Sequence, residues 1–277
     1  MSEVFFPETP PGLWACMEAH PEAQCMAGGT DVLVRRRLSP RPAPPLICLE
    51  RLPGLRGVED LGDALRLGAT CTLAGLLAHP LILRHCPVLC QAMAVLGSPL
   101  VRNAATLGGN CCTASPAGDT LPALTVLNAR VELMQAHGTR TLPMQEFLLG
   151  PGRTALSANE ILSAVIVPKP RPGALQHYEK VGRRKALAVA LVSLASLLET
   201  DATGCVTSAR LAWGGVGPTV MRVPEAERLL CGQRLDPENL TRAAAIVREA
   251  VRPIDDVRAD AACRRSIAGN LLLRLAT

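Results

Sequence analysis

Residues 105–123, ATLGGNCCTASPAGDTLPA, constrain the fold more than any other stretch of the chain. They combine two adjacent glycines, small polar residues, one carboxylate and two prolines, and no hydrophobic period crosses them. The pattern predicts a loop whose backbone N–H groups can approach something negatively charged. A second stretch of the same chemistry, Ala27, Gly28, Gly29, Thr30 and Asp31, comes earlier. We expect the two loops to meet on one ligand. For the earlier stretch, an ordinary glycine turn leading into an N-capped helix is the competing reading.

Composition limits what that ligand can be. Of the residues, 48% are hydrophobic and 2% aromatic, so the core is aliphatic and base-stacking platforms for nucleic acid are not expected. The net charge of +5 is spread mostly over arginines, with a dense cluster at Arg183, Arg184 and Lys185. It suits a phosphate-bearing ligand, an acidic partner or a plain solvated surface. The 11 cysteines are odd in number and contain no CxxC, which predicts reduced thiols in a cytoplasmic protein. Cys86, Cys90, Cys111 and Cys112 match no cluster-binding motif, so a packing role is expected for them. No signal peptide is visible at the N-terminus, and the longest apolar run, 186–198, is too short to span a bilayer. Neither a membrane nor nucleic acid is expected as a partner.

The periodicities alternate between strand and helix. Short apolar strands are expected at 25–27, 46–49 and 65–69, with helices at 13–19, 31–38, 73–78 (Thr72 as N-cap), from Pro80, and at 87–96. After the loop, a helix at 122–127 and strands at 129–135, 140–142 and 161–167 are expected, with a short helix at 143–147. Three prolines in 168–172 mark a boundary. We therefore expect a domain at 1–170, with subdomains about 1–57 and 58–170, and a second, smaller α/β domain at 171–277. In the second, 176–181 and 205–213 read as strands, and 186–198 as a strand or a buried helix. Helices are expected at 224–230, at 237–251 behind the Asp236 N-cap, and at 259–276.

Each candidate residue has a chemical reason. Met26, Ala27, Gly28, Gly29, Thr30, Asp31 and Val32 form a strand end without obstructing Cβ atoms, where Thr30 and neighbouring amides can donate to a diphosphate. It is not a GxGxxG fingerprint. Thr106, Leu107, Gly108, Gly109 and Asn110 repeat the offer with a hydroxyl, two glycines and an amide. Asp119 suits sugar or ribityl hydroxyls better than phosphate, or else it caps the helix at 122–127. The five histidines show no paired arrangement, and no catalytic acid, base or metal ligand is singled out.

In order and spacing, MAGGTDVLV, LVRNAATLGGNCCTASPAGDTLPAL, NEILSAVIVP, HYEK, GGVGPTVMR and PIDDVRADAACRR resemble the FAD-binding (medium) subunit of the molybdenum hydroxylases. That family includes the flavin subunits of xanthine dehydrogenase and aerobic carbon monoxide dehydrogenase. The resemblance covers essentially the whole chain. It implies an α/β (α+β) fold: a two-subdomain FAD-binding domain of the molybdopterin dehydrogenase or vanillyl-alcohol-oxidase-like type, then a smaller C-terminal domain. It implies that Met26–Val32 and residues 106–110 clasp the FAD diphosphate and that Asp119 contacts the ribityl chain. It also implies that Leu162 supplies backbone contacts near the isoalloxazine ring and that Lys180 approaches the ring, where a cation would favour the anionic reduced flavin. The competing reading of Lys180 is a surface charge at a strand end.

Two departures from the family accompany this likeness. Leu187, Ala188 and Val189 stand where relatives carry Asp-Ile-Ala or Asp-Tyr-Ala, and Cys111–Cys112 replaces a small apolar pair. The implied function is an electron-transfer oxidoreductase subunit that holds FAD non-covalently. It would receive electrons from 2Fe-2S clusters on a partner subunit and pass them to an acceptor such as NAD. Molybdopterin would sit on a further subunit, where the substrate is oxidised. A stand-alone flavin oxidase or dehydrogenase, and a non-catalytic anion-binding protein, are the alternatives.

Overall fold

In the computed structural model, residues 3–40, 42–184 and 187–276 are described. Lys185 of the basic cluster, Ala186 at the head of the apolar run and Arg41 of the proline-rich connection lie outside them. Chain order begins with β1 (Val4–Phe5), α1 (Pro10–Ala19), β2 (Gln24–Met26), α2 (Val32–Leu38) and β3 (Leu46–Cys48). The three strands make a parallel sheet in the order β1-β3-β2, as expected where helices separate consecutive strands. Thr9 caps α1, two prolines open it, and its Leu13 packs with Ile47, Leu49, Leu52 and Leu55 in a small core of its own.

The middle of the chain follows a different plan. It holds β4 (Val58–Asp60), β5 (Ala64–Gly68), then six short helices: α3 (Leu73–Leu77), α4 (Pro80–His85), α5 (Pro87–Ala94), α6 (Pro99–Ala104), α7 (Leu107–Thr113) and α8 (Thr120–Val126). There follow β6 (Arg130–Gln135), β7 (Gly138–Pro143), α9 (Met144–Phe147), β8 (Leu148–Gly150), β9 (Arg153–Thr154) and β10 (Ile161–Pro168). Five strands form an antiparallel sheet, β4-β5-β10-β6-β7, with β10 in the middle and a register shift between Leu162 and Ala164. The stretch 105–123 is therefore not the continuous loop its composition predicts. It holds α7 and the start of α8, and Leu107, Gly108, Cys111 and all of 120–126 are buried. Small residues let α7 pack closely, and that same smallness erases the hydrophobic period. The segment 101–103 likewise belongs to a helix, α6, capped by Ser98 and opened by Pro99.

The last part contains β11 (Leu175–Gly182), β12 (Ala190–Thr200), β13 (Val206–Gly214), β14 (Met221–Arg222), α10 (Pro224–Leu230), α11 (Pro237–Ala250) and α12 (Ala261–Leu273). The strands pair antiparallel in sequence order. Residues on alternate sides of this sheet enter different cores. Val192, Leu194, Leu198, Leu211 and Trp213 pack with α10–α12, whereas Tyr178, Ala195, Leu197 and Ala212 pack with α5 and α8. A strand buried on both faces loses its polar alternation, and the apolar run from 190 onward is the strand Ala190–Thr200 rather than a helix. Arg264, itself buried, ties the α12 end of this unit to the sheet by donating to the carbonyl oxygens of Leu191 (2.6 Å) and Gly215 (3.3 Å) and to Asp256 (2.8 Å).

Candidate functional site

The first glycine loop starts where β2 ends. The carbonyl of Met26 accepts from Leu49, and Gly29 then turns the chain with φ +72°, a conformation L side chains rarely adopt, before α2 begins at Val32. The N–H groups of Gly28, Gly29, Thr30, Asp31 and Val32 have no acceptor among the described residues. Five consecutive unpaired donors at a strand-to-helix turn form an anion-binding concavity. Asp31 does not cap α2. Its carboxylate pairs with Arg35 Nε at 2.9 Å and accepts from Thr113 Oγ1 at 3.2 Å, tying the loop to α7.

The second loop is held differently. Thr106 Oγ1 accepts from the N–H of Gly109 (3.1 Å), and the carbonyl of Thr106 accepts from Asn110. The N–H groups of Leu107 and Gly108 are taken by the carbonyls of Cys71 and Ala69. Its main-chain donors at 107–110 are thus already used. What remains is the Thr106 hydroxyl proton and the Asn110 side-chain amide, whose Oδ1 accepts from Thr120 Oγ1 at 2.5 Å. Gly108 has no Cβ because Ala69 occupies that space, with its Cβ 2.6 Å from where one would stand. Gly28 has none because the Ala104 carbonyl presses against it, the carbonyl carbon only 2.5 Å from the ideal Cβ position. That contact joins the two loops, and both line one cavity of about 270 Å³ together with Gln24, Arg35, Leu96 and Val101.

A second cavity, of about 510 Å³, lies on the other side of the Val95–Leu96 turn: Val95 lines this one and Leu96 the first. Lys180, from β11, points into it. Its Nζ donates to Asp119 Oδ2 at 2.7 Å and to the Val95 carbonyl at 3.1 Å. Tyr178, two residues earlier on the same face, donates its hydroxyl to Asp119 Oδ1 at 3.0 Å. The Lys180 and Asp119 side chains are each only 8% exposed, so Lys180 is not a surface charge. Asp119 does not cap α8, its backbone being helical and its carboxylate turned to β11. Burial pushes the Asp119 carboxyl above its ordinary range, against the opposing pull of Lys180 and Tyr178. Burial and the neighbouring carboxylate hold the Tyr178 phenol well above 10. Arg184 donates to the Leu187 carbonyl (2.7 Å), and Leu187, at φ +53°, lines the cavity with Ala188 where relatives were expected to place an acidic or aromatic residue.

Of the residues predicted from sequence, Met26, Ala27, Gly28, Gly29, Thr30, Asp31, Val32, Thr106, Gly109 and Asn110 line the first cavity, while Leu107 and Gly108 support it from the core. Lys180 and Asp119 meet at the second. Leu162 lines neither cavity; it is buried on β10 opposite Leu133. Sequence reasoning missed Gln91, which accepts from the Tyr178 N–H at 2.6 Å, and the Val95–Leu96 turn, because both sit in an ordinary helix and its exit. Cys112 and Cys25 line the first cavity, and burial pushes their thiols up to about 12 and about 11, so both are neutral packing groups.

An anion cradle of open amides, separated by one turn from a roomy cavity lined by a buried ammonium, suits an extended anionic cofactor. Comparison with known proteins makes this specific. Residues 1–170 match the FAD binding domain in molybdopterin dehydrogenase, and 176–277 match the CO dehydrogenase flavoprotein C-terminal domain. The chain is 31% identical to the nicotinate dehydrogenase FAD-subunit of Eubacterium barkeri, over 82% of this chain and 77% of that protein. It is 31% identical to a putative xanthine dehydrogenase FAD-binding subunit of Escherichia coli K12, over 87% and 82% of the two. A solved carbon monoxide dehydrogenase from Hydrogenophaga pseudoflava, lacking the Mo-pyranopterin moiety of its molybdenum cofactor, superposes with a TM-score of 0.93 at 28% identity. That alignment covers 99% of this chain and 95% of the other. The chain belongs to the FAD-binding subunits of the molybdenum hydroxylase family, and it is an oxidoreductase flavoprotein with the family's two-domain fold.

Proposed function

We propose that the chain is the flavin subunit through which electrons leave a molybdenum hydroxylase complex. The observation that carries this reading is the pair of cavities flanking the Val95–Leu96 turn, with open amides in one and Lys180, paired to Asp119, lining the other. In this reading the amides of 28–32, the Thr106 hydroxyl and the Asn110 side chain hold the FAD diphosphate. The ring lies in the larger cavity over Lys180, with Asp119 within reach of the ribityl chain. Bound FAD supplies the ability to take up and release electrons singly or in pairs. The protein's part is to bind and orient it, to keep water from one face with Leu187 and Ala188, and to hold the Lys180–Asp119 pair beside the ring.

The domain division that goes with this reading is 1–170, in subdomains of about 1–57 and 58–170, followed by 171–277. Relatives described as FAD or medium subunits support the expectation of two partner chains, one carrying iron–sulfur clusters and one the molybdenum cofactor. NAD is the acceptor we favour. Among the described residues no helix is long and apolar enough to cross a membrane, and no group of three or more His, Cys, Asp or Glu could hold a metal ion. The test is to isolate the tagged chain from its native host and identify the co-purifying subunits and their metals. Molybdenum- and iron-bearing partners support the proposal. A chain that isolates alone with FAD and full dehydrogenase activity refutes it.

A further inference from the structure

Arginine supplies 26 of the 29 basic residues, and lysine only Lys169, Lys180 and Lys185. The one placed beside Asp119 is therefore an exception to the chain's own usage. An ammonium is a compact point charge that fits between one carboxylate oxygen and one carbonyl, where the planar arginine fork would not. Lys180 Nζ occupies that slot, 2.7 Å from Asp119 Oδ2 and 3.1 Å from the Val95 carbonyl. The other carboxylate oxygen is held by the Tyr178 hydroxyl at 3.0 Å, and Tyr178 is itself fixed by its main-chain bond to Gln91. The other charged residues lining this cavity also have protein partners. Glu179 is paired with Arg274 (2.6 Å) and His177 (3.5 Å), and Arg184 donates to the Leu187 carbonyl.

Building on the FAD reading above, we propose that Asp119 and Lys180 act toward the flavin as one neutral ion pair, with Tyr178 as the residue that positions the carboxylate. The pair, rather than the lysine alone, then sets the flavin potential. The physical basis is mutual dependence. A carboxylate this deeply buried stays ionised only because a cation and a donor face it, so removing Lys180 makes Asp119 take up a proton. Both charges vanish together, and the ring senses little change. Removing the carboxylate charge instead leaves an unmasked ammonium in a low-dielectric site, which favours electron uptake by the ring.

The test measures flavin midpoint potential and FAD content on the full chain loaded with FAD. The proteins are wild type, Asp119→Asn, Lys180→Met, the double variant and Tyr178→Phe. The expected pattern is a raised potential in Asp119→Asn, a much smaller change in Lys180→Met, and no further effect of Asp119→Asn when position 180 is methionine. Tyr178→Phe keeps every charged group and is expected to retain FAD, with a potential between those of wild type and Asp119→Asn. Equal shifts from Asp119→Asn in both backgrounds, or none in either, overturn the proposal. A Tyr178→Phe potential equal to wild type removes the positioning role. A wild-type chain that binds no FAD refutes the underlying reading instead, so the two failures are distinguishable.

Discussion

Replacing Gly28 by alanine tests the junction of the two loops with a single methyl group. The new Cβ would stand 2.5 Å from the Ala104 carbonyl carbon and closer still to its oxygen, where real Cβ atoms essentially never come within 3.0 Å. The obstacle is main chain, so no side chain can swing aside, and the β2–α2 turn and the end of α6 must part by on the order of 1 Å. Overpacking of this kind costs about 1–3 kcal/mol. If the cost falls on the cradle, FAD affinity drops by roughly 5- to 150-fold, since 1.4 kcal/mol is tenfold. Fluorescence titration of the apo chain with FAD reads the affinity, and a thermal melt without FAD reads the folding share. Gly150→Ala is the control, because nothing lies within 4 Å of its Cβ position and its φ is ordinary. A Gly28→Ala protein with wild-type affinity and melting temperature would refute the reasoning that this contact shapes the site.

Three further perturbations address other parts of the account. Thr106→Val keeps the shape but removes the cap of α7 and a hydroxyl at the cavity, and is expected to cost about 1 kcal/mol of stability by denaturant unfolding and to weaken FAD binding as well. Glu160 is buried and bonded twice by Arg140, at 2.6 and 2.7 Å, which holds its carboxyl down from 4.5 to about 2. Its stabilisation is full above pH 4.5 and fades as the pH falls towards 2, so the melting-temperature gap between wild type and Glu160→Gln is expected to narrow over that window; a gap independent of pH contradicts it. Arg264→Met removes donors from the buried Leu191 carbonyl, from the Gly215 carbonyl and from Asp256, and a loss of about 3–5 kcal/mol in urea unfolding is expected, with FAD content changed only as far as folding is.

Much of this architecture is legible in the residues. Pro224–Leu230 has the predicted bounds, and the caps Thr72 and Asp236 sit where the sequence places them, because proline openings and hydroxyl or carboxylate caps act locally. The helices α6 and α7 are not legible in the sequence; in α7, Gly108 and Cys111 pack by being small rather than by being periodic. The convergence of the two glycine loops was anticipated, yet their division of labour was not. Whether an amide is open or already bonded to Cys71 or Ala69 depends on which distant segment runs past it, and local sequence does not encode that. Asp119 illustrates the same limit. Its carboxylate was read as a ribityl contact or a cap, while its partners, Tyr178 and Lys180, lie about 60 residues away on β11, an arrangement made only when the sheet docks on α5 and α8.

The central claim is that the first glycine loop holds the diphosphate of FAD with amides that have no acceptor among the described residues. Amide hydrogen exchange of the chain with and without FAD measures this directly. Peptides covering Gly28, Gly29, Thr30, Asp31 and Val32 are predicted to exchange fast alone and to become protected on FAD addition, with 107–110 already slow in both states. Binding of FAD with unchanged exchange across 28–32 would contradict the account.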